Sequence, residues 1–231
     1  MRLGMATDVG QVREKNEDSM GWQGNLFVVA DGMGGHNAGE IASSLVVEHM
    51  LSIDDEGAAF SEKLQETLLT ANDALLDYAL HNAGCEGMGT TVAVLHLEGA
   101  KATVGHVGDS RVYHWRNGEL VRLTRDHSLV EELVQNGGIT IEQARTHPQR
   151  HILTRALGGP EIPEVEVIQV PINPGERFLL CTDGLTGPIT DQELTEAMMK
   201  SEDPQALADQ LVSLANEKGG PDNITVMVIE V

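Results

Sequence analysis

Aspartate recurs in this chain at the ends of apolar runs. In residues 26–36, LFVVADGMGGH, five apolar residues lead to Asp31, followed by Gly32, Gly34, Gly35 and His36. In 177–185, RFLLCTDGL, a second apolar run ends in Asp183 and Gly184. TVGHVGDSR sets Asp109 after a third run, and GGPDNITVMV sets Asp222 before a fourth. REKNED adds Glu17 and Asp18 near the N-terminus. Singly, Asp and Gly are ordinary turn formers. Four aspartates at the ends of strongly apolar strands ask for more. Strands that share sheets bring their ends to one rim, and clustered carboxylates repel until a cation neutralises them. Neither Cys nor His stands at metal-ligand spacing, so the donors are hard oxygens, suited to Mg2+ or Mn2+ rather than zinc.

The bare backbone beside Asp31 fits that chemistry. At Gly32 a carbonyl can approach a cation without side-chain obstruction. A glycine-rich loop can instead cradle phosphate through its N–H groups. Here the Lys-Ser/Thr of a P-loop is missing, which favours the metal-ligand reading. Paired cations in an acidic setting serve phosphoryl chemistry. Arg13, three residues before Asn16, is the candidate for the phosphate, since a guanidinium matches two phosphate oxygens. His106, His114, His127, His147 and His151 read as structural or surface groups, with His127 the one to watch.

The elements that must position these groups follow from pattern. The 231 residues suit one domain, 1–231, with no repeat or linker. A net charge of −21 argues against nucleic acid. Cys181 lies in an apolar run, and Cys85 and Cys181 form no metal knuckle. With nothing resembling a signal peptide, membrane span or anchor, the expected location is the reducing cytoplasm. The N-terminal part reads as two strands and then two helices. Ala42, Leu45, Val46, His49 and Met50 recur at helical spacing, as do Leu64, Leu68, Ala71, Leu75 and Ala79. TTVAVLHL, KATVGHVGD, SRVYHW and ELVRL read as a meander of antiparallel hairpins, with an Asn-Gly turn at 117–118. VEVIQV, RFLLCT and NITVMVIEV add strands. Thr190 with Glu193 forms a capping box, and Asp203-Pro204 starts a last helix. Grouped strands and grouped helices imply α+β layering, with two sheets back to back and helices outside. Residues 126–159 read as a surface excursion of two short helices capped by Ser128 and Thr140.

These residues resemble a known set. RxxNED, VVADGMGGH, GMGTT, GHVGDSR, LTRDHS, LTRALG, LLCTDGLT and GGPDNITV stand in the order found in bacterial members of the metal-dependent protein phosphatase family (PPM, type 2C). The resemblance spans nearly the whole chain. It implies a four-layer α-β-β-α sandwich of two mainly antiparallel sheets, with a flap at about 126–159. It implies hydrolysis of phosphoserine and phosphothreonine on proteins by metal-activated water in one in-line step, opposing a cognate Ser/Thr kinase. Asp31 would bridge two tightly bound Mn2+ or Mg2+ ions. Asp183 and Asp222 would complete the first ion's ligands, and the Gly32 carbonyl and Asp18 (or Glu17) would serve the second. Asp109, with Asp183, would form a third, weaker site, and Arg13 would bind phosphate. His36 is the candidate proton donor to the leaving group, although Met33 stands where some relatives carry a histidine. The implied form is a monomer without a membrane anchor. Two other readings are a catalytically silent phosphoprotein-binding module and a nucleotide phosphodiesterase. The first conflicts with an intact acid set and Arg13, the second with the acidic balance.

Overall fold

A computed structural model describes residues 1–34, 38–53, 60–159 and 163–231. The chain runs β1 (Arg2–Asp8), β2 (Asp18–Gln23), β3 (Leu26–Met33), α1 (Ala38–Leu51) and α2 (Phe60–His81). Then come β4 (Gly89–Thr90), β5 (Val92–Glu98), β6 (Lys101–Val107), β7 (Arg111–Arg116) and β8 (Glu119–Arg122). The helices α3 (Leu129–Gln135) and α4 (Ile141–Arg145) precede β9 (Glu166–Pro171) and β10 (Arg177–Cys181). The chain closes with α5 (Asp183–Thr186), α6 (Asp191–Lys200), α7 (Pro204–Glu217) and β11 (Ile224–Glu230).

Two antiparallel sheets lie back to back. One has the order β1-β11-β10-β7-β8, the other β2-β3-β5-β6-β9, with β4 paired to β3. The unbroken apolar runs arise because the central strands are buried on both faces. In β3, Leu26, Val28 and Ala30 face α1 and α2, while Phe27 and Val29 face the other sheet. In β10, Leu179 and Cys181 face α6 and α7, while Phe178 and Leu180 meet Phe27 and Val29 in the middle layer. Period-two alternation thus divides each run between an inter-sheet core and an outer, helix-covered core. The result is the α-β-β-α sandwich.

Two expectations need correction. Three strands, not two, precede α1. The antiparallel block is also not one meander. β5 and β6 pair in one sheet, β7 and β8 in the other. The chain changes sheets at 108–110, where Gly108 takes φ +104, a value that favours glycine. A hairpin period is the same whichever sheet a strand joins, so the pattern could not reveal the switch. That crossing is what carries Asp109 to the rim between the sheets.

Local chemistry sets the other boundaries. Asn117 (φ 52) and Gly118 (φ 79) form the two-residue turn between β7 and β8. Ser128 and Thr140 cap α3 and α4, and Thr190 and Asp203 cap α6 and α7. After Asp183, α5 ends within one turn at Gly187. One isolated bridge, Ser128 to Leu153, closes the flap on itself, and another, Thr90 to Leu157, returns it to the body.

Candidate metal centre

Asp31 and Asp18 lie directly opposite each other in the β2–β3 ladder. Like charges in that relation destabilise a sheet, so this register needs a compensating cation. Asp31 is fixed by its backbone: its N–H donates to Thr91 Oγ1 at 3.0 Å, and its carbonyl accepts from the Thr91 N–H at 2.9 Å and the Thr90 hydroxyl at 2.8 Å. Asp31 lines the cleft at the rim, where its carboxylate meets that of Asp183. Asp18 reaches across to the second sheet, where the Thr182 hydroxyl donates to its Oδ2 at 2.8 Å. Its Oδ1 is buried without a hydrogen-bond partner, and so is Oδ1 of Asp183. Orphaned buried acceptors are costly, and two of them on adjacent carboxylates mark a place made for cations.

Asp183 opens α5 directly behind β10. Asp222 precedes β11; it accepts from the Asn223 N–H at 2.9 Å and from Arg13 Nη2 at 2.8 Å. Arg13 is half exposed and stands beside the cluster. Burial, joined by repulsion from Asp183, holds the Asp109 acid well above the carboxylate range. Burial and the neighbouring Asp18 and Asp183 do the same to Asp31. Burial raises Asp18 to about 7 against the pull of hydrogen bonds from Thr225 and Thr182. Asp183 is raised by burial and by Asp222, with His151 partly offsetting them. These groups resist holding their charges together in the absence of a cation. The donor set is all oxygen, which fits Mg2+ or Mn2+.

The Asp-Gly pairs acquire a second explanation. A Cβ on Gly32 would meet the carbonyl oxygen of Gly39 at 2.0 Å and that of Glu17 at 2.5 Å. A Cβ on Gly184 would meet the Asn223 carbonyl oxygen at 1.9 Å. Each glycine lets backbone from another element close on the rim, α1 and the β2 approach in one case and the β11 approach in the other. Asn223 ties the rim together: its side chain accepts from the Glu17 N–H and donates to the carbonyls of Val9 and Lys15, all within 2.9 Å. Sequence reasoning passed over Asn223, Thr182 and Thr91. The Asn after Asp222 was a usable signal, whereas a Thr within a strand gives none.

Asp18, Asp31, Gly32, Asp109, Asp183, Asp222 and Arg13 all line one cleft except Asp18, which sits beneath it. His36 lies outside the described residues. His151, read from sequence as a surface group, lines the same cleft from the flap. His106 and His127 meet Glu166 elsewhere, with one ligand-type atom from each within 4.8 Å of the others. Their rings stack at 4.5 Å, 23° from parallel, so their in-plane lone pairs do not converge on one ion. The Gly108 N–H donates to His127 Nδ1 at 3.1 Å, and His106 bonds the Arg125 carbonyl at 2.8 Å. This is a hydrogen-bonded stack at the flap root, in which burial and the second histidine lower His127 to about 4.

The family model for protein phosphatase 2C matches residues 11–220. The chain belongs to the protein phosphatase 2C family. Its relatives in that family include the serine/threonine protein phosphatase PstP of Mycobacterium tuberculosis, 40% identical over 233 residues. All of this chain is covered, but it spans only 45% of that relative's length. The serine/threonine phosphatase stp of Listeria innocua is 37% identical, with 100% of this chain and 96% of the relative covered. Among solved structures, the Mycobacterium tuberculosis phosphatase PstP/Ppp superposes with a TM-score of 0.95 at 40% identity, covering 100% of this chain and 98% of that one. A catalytic domain of PstP in complex with two manganese ions gives 0.91 at 38% identity, with 99% and 97% covered. The protein phosphatase 2C fold of this chain thus carries an acid cluster at the rim between its sheets. No helix among the described residues is long and apolar enough to cross a membrane.

Proposed function

We propose that this chain is a metal-dependent phosphatase that hydrolyses phosphoserine and phosphothreonine on proteins. The observation that carries this reading is the Asp18–Asp31 pair in direct register, with unpartnered buried oxygens on Asp18 and Asp183. Asp31 would bridge two Mn2+ or Mg2+ ions, Asp183 and Asp222 would complete one, and Asp18 and the Gly32 carbonyl would serve the other. Asp109 and Asp183 would hold a weaker third. Such ions, when bound, supply an activated water near neutral pH and neutralise charge on the phosphate.

The chain's own groups do the rest. Arg13 is anchored at one nitrogen by Asp222, which leaves other N–H donors to grip two phosphate oxygens. The Thr90 and Thr91 bonds fix the Asp31 backbone and the Thr182 hydroxyl holds the Asp18 carboxylate, so little reorganisation is needed when substrate arrives. His36 is the proposed proton donor to the departing side-chain oxygen. The proposed setting is the cytoplasm, opposite a Ser/Thr kinase. There the chain acts as a single domain and a monomer; its exposed Trp22, Leu80, Ile141 and Met199 come from four different elements.

Phosphate release from a phosphothreonine peptide, with Mn2+ and then with chelator, tests this. The expected result is metal-dependent release that Asp183→Ala abolishes. Release that survives chelation, or bound metal without release from any peptide, would refute it.

A further inference from the structure

The cleft holds about 1110 Å3, more than the 300–1,000 Å3 or so of a typical small-ligand site and far beyond one phosphoryl group. Most of it must serve the polypeptide on either side of the phosphorylated residue. The charge of its walls is therefore a statement about that polypeptide. Most cations around the cleft are already paired. Arg111 bonds Asp126, Arg122 reaches Asp126 and Glu131, Lys218 bonds Glu193 at 2.7 Å, and Arg13 holds Asp222.

The flap side differs. Arg145, Arg150 and His151 all line the cleft and are exposed. Among the described residues neither Arg145 nor Arg150 has an acidic partner, whereas His151 faces Asp183; Arg145 makes one bond, from Nη2 to the Gly187 carbonyl at 2.9 Å. That bond fixes its guanidinium across the cleft mouth and leaves donors unused. The stretch 143–160 contains no Asp or Glu but carries Arg145, Arg150 and Arg155 with His147 and His151. In a chain with 36 acids among 231 residues, this acid-free stretch sets a local cationic face on one wall of the cleft through Arg145 and Arg150, while Arg155 pairs with Glu164 and Glu166. A surface acidic elsewhere repels anionic peptides in general, so a local cationic wall gives selective entry to those that reach it.

We propose that Arg145 and Arg150 form a subsite for anionic side chains flanking the phosphorylated residue. The inference rests on the phosphatase reading and adds a substrate class to it: acidic or multiply phosphorylated segments. Carboxylates and a second phosphate share the chemistry that arginine recognises.

The test compares kcat/KM for three phosphothreonine peptides of one length: one with alanine neighbours, one with glutamates, and one with a second phosphothreonine. Exposed ion pairs are individually weak, so the glutamate peptide should exceed the alanine peptide by roughly three- to tenfold at low salt. The doubly phosphorylated peptide should gain at least as much. The preference should shrink steeply as ionic strength rises. In Arg145→Gln/Arg150→Gln it should fall towards one, and Arg150→Glu should favour a lysine-flanked peptide instead. Equal turnover of all three peptides by the unaltered chain would overturn the subsite and leave the phosphatase reading standing. A preference that resists salt, or that survives the double substitution, would also overturn it. Hydrolysis of para-nitrophenyl phosphate but of no peptide would refute the protein-substrate reading and, with it, the subsite.

Discussion

Arg13 is held between two duties. Its bond to Asp222 holds it at the cleft it lines and leaves donors for a phosphate. Arg13→Ala should therefore lower kcat/KM by about 10- to 150-fold, the 1.5–3 kcal/mol of one charged hydrogen bond, with Mn2+ affinity nearly unchanged. Steady-state kinetics beside metal titration checks both halves, and unaltered kinetics would remove Arg13 from the phosphate. His36 is testable through the leaving group. A phosphothreonine departs as a poor leaving group that needs a proton, whereas para-nitrophenolate does not. His36→Gln should slow peptide turnover by about 100-fold or more and barely affect para-nitrophenyl phosphate. Equal slowing of both would assign His36 a structural part. The gathering of the aspartates was legible because four apolar runs with an Asp at one end, each alone an ordinary turn, together point to one rim; the roles given to them and to Arg13 came from the family resemblance. The Asn223 hub was not legible, because its bonds reach Val9 and Lys15, more than 200 positions away in sequence.

At the scale of elements, the site is a meeting of strand ends made possible by missing side chains. Gly32 and Gly184 each admit a carbonyl that a Cβ would meet at 2.0 and 1.9 Å. Backbone cannot retreat as a flexible side chain can. Gly184→Ala should thus destabilise the metal-free protein by at least about 1–3 kcal/mol, the usual cost of overpacking, as read by urea unfolding. A change below a few tenths would mean that the rim yields freely. The flap root offers a second check. Arg111 is mostly buried and bonds Asp126 through two nitrogens, so Asp126→Ala leaves a cation without its main partner. A loss of about 3–5 kcal/mol is expected, again by urea unfolding. The elements themselves were largely readable, since helical periodicity, caps and the Asn-Gly turn are local. Strand assignment to sheets was not. Val104 and Val112 both reach the inter-sheet core, yet they belong to different sheets, and no local pattern distinguishes them.

For the whole molecule, the acid cluster sets a pH dependence that metal reverses. Asp18 has its folded value near 7 against an ordinary 3.8. Between those values the folded state holds a proton that the unfolded state has released. Stability from this group is complete below 3.8 and is lost as pH rises through 7, on the order of 4 kcal/mol in all. Asp31, Asp109 and Asp183 shift in the same direction. His127, lowered to about 4 from 6.5, works oppositely and withdraws stability as pH falls below 6.5. The metal-free protein should therefore melt at a higher temperature at pH 6.5 than at pH 8.5. With saturating Mn2+ the order should reverse, because the ligands must be deprotonated to bind, and bound ions stabilise by about 2.7 kcal/mol at 100 times Kd. Identical pH trends with and without metal would show that the cluster is not where metal binds.

The central claim is that one carboxylate, placed opposite another by strand register, joins two cations into a single centre. The most direct measurement is Mn2+ stoichiometry by calorimetry for the unaltered chain and for Asp31→Asn, with phosphate release followed on the same samples. Two tight ions in the first, and the loss of both together with turnover in the second, are the predicted results. Two ions still bound with undiminished affinity in Asp31→Asn would contradict the bridging role.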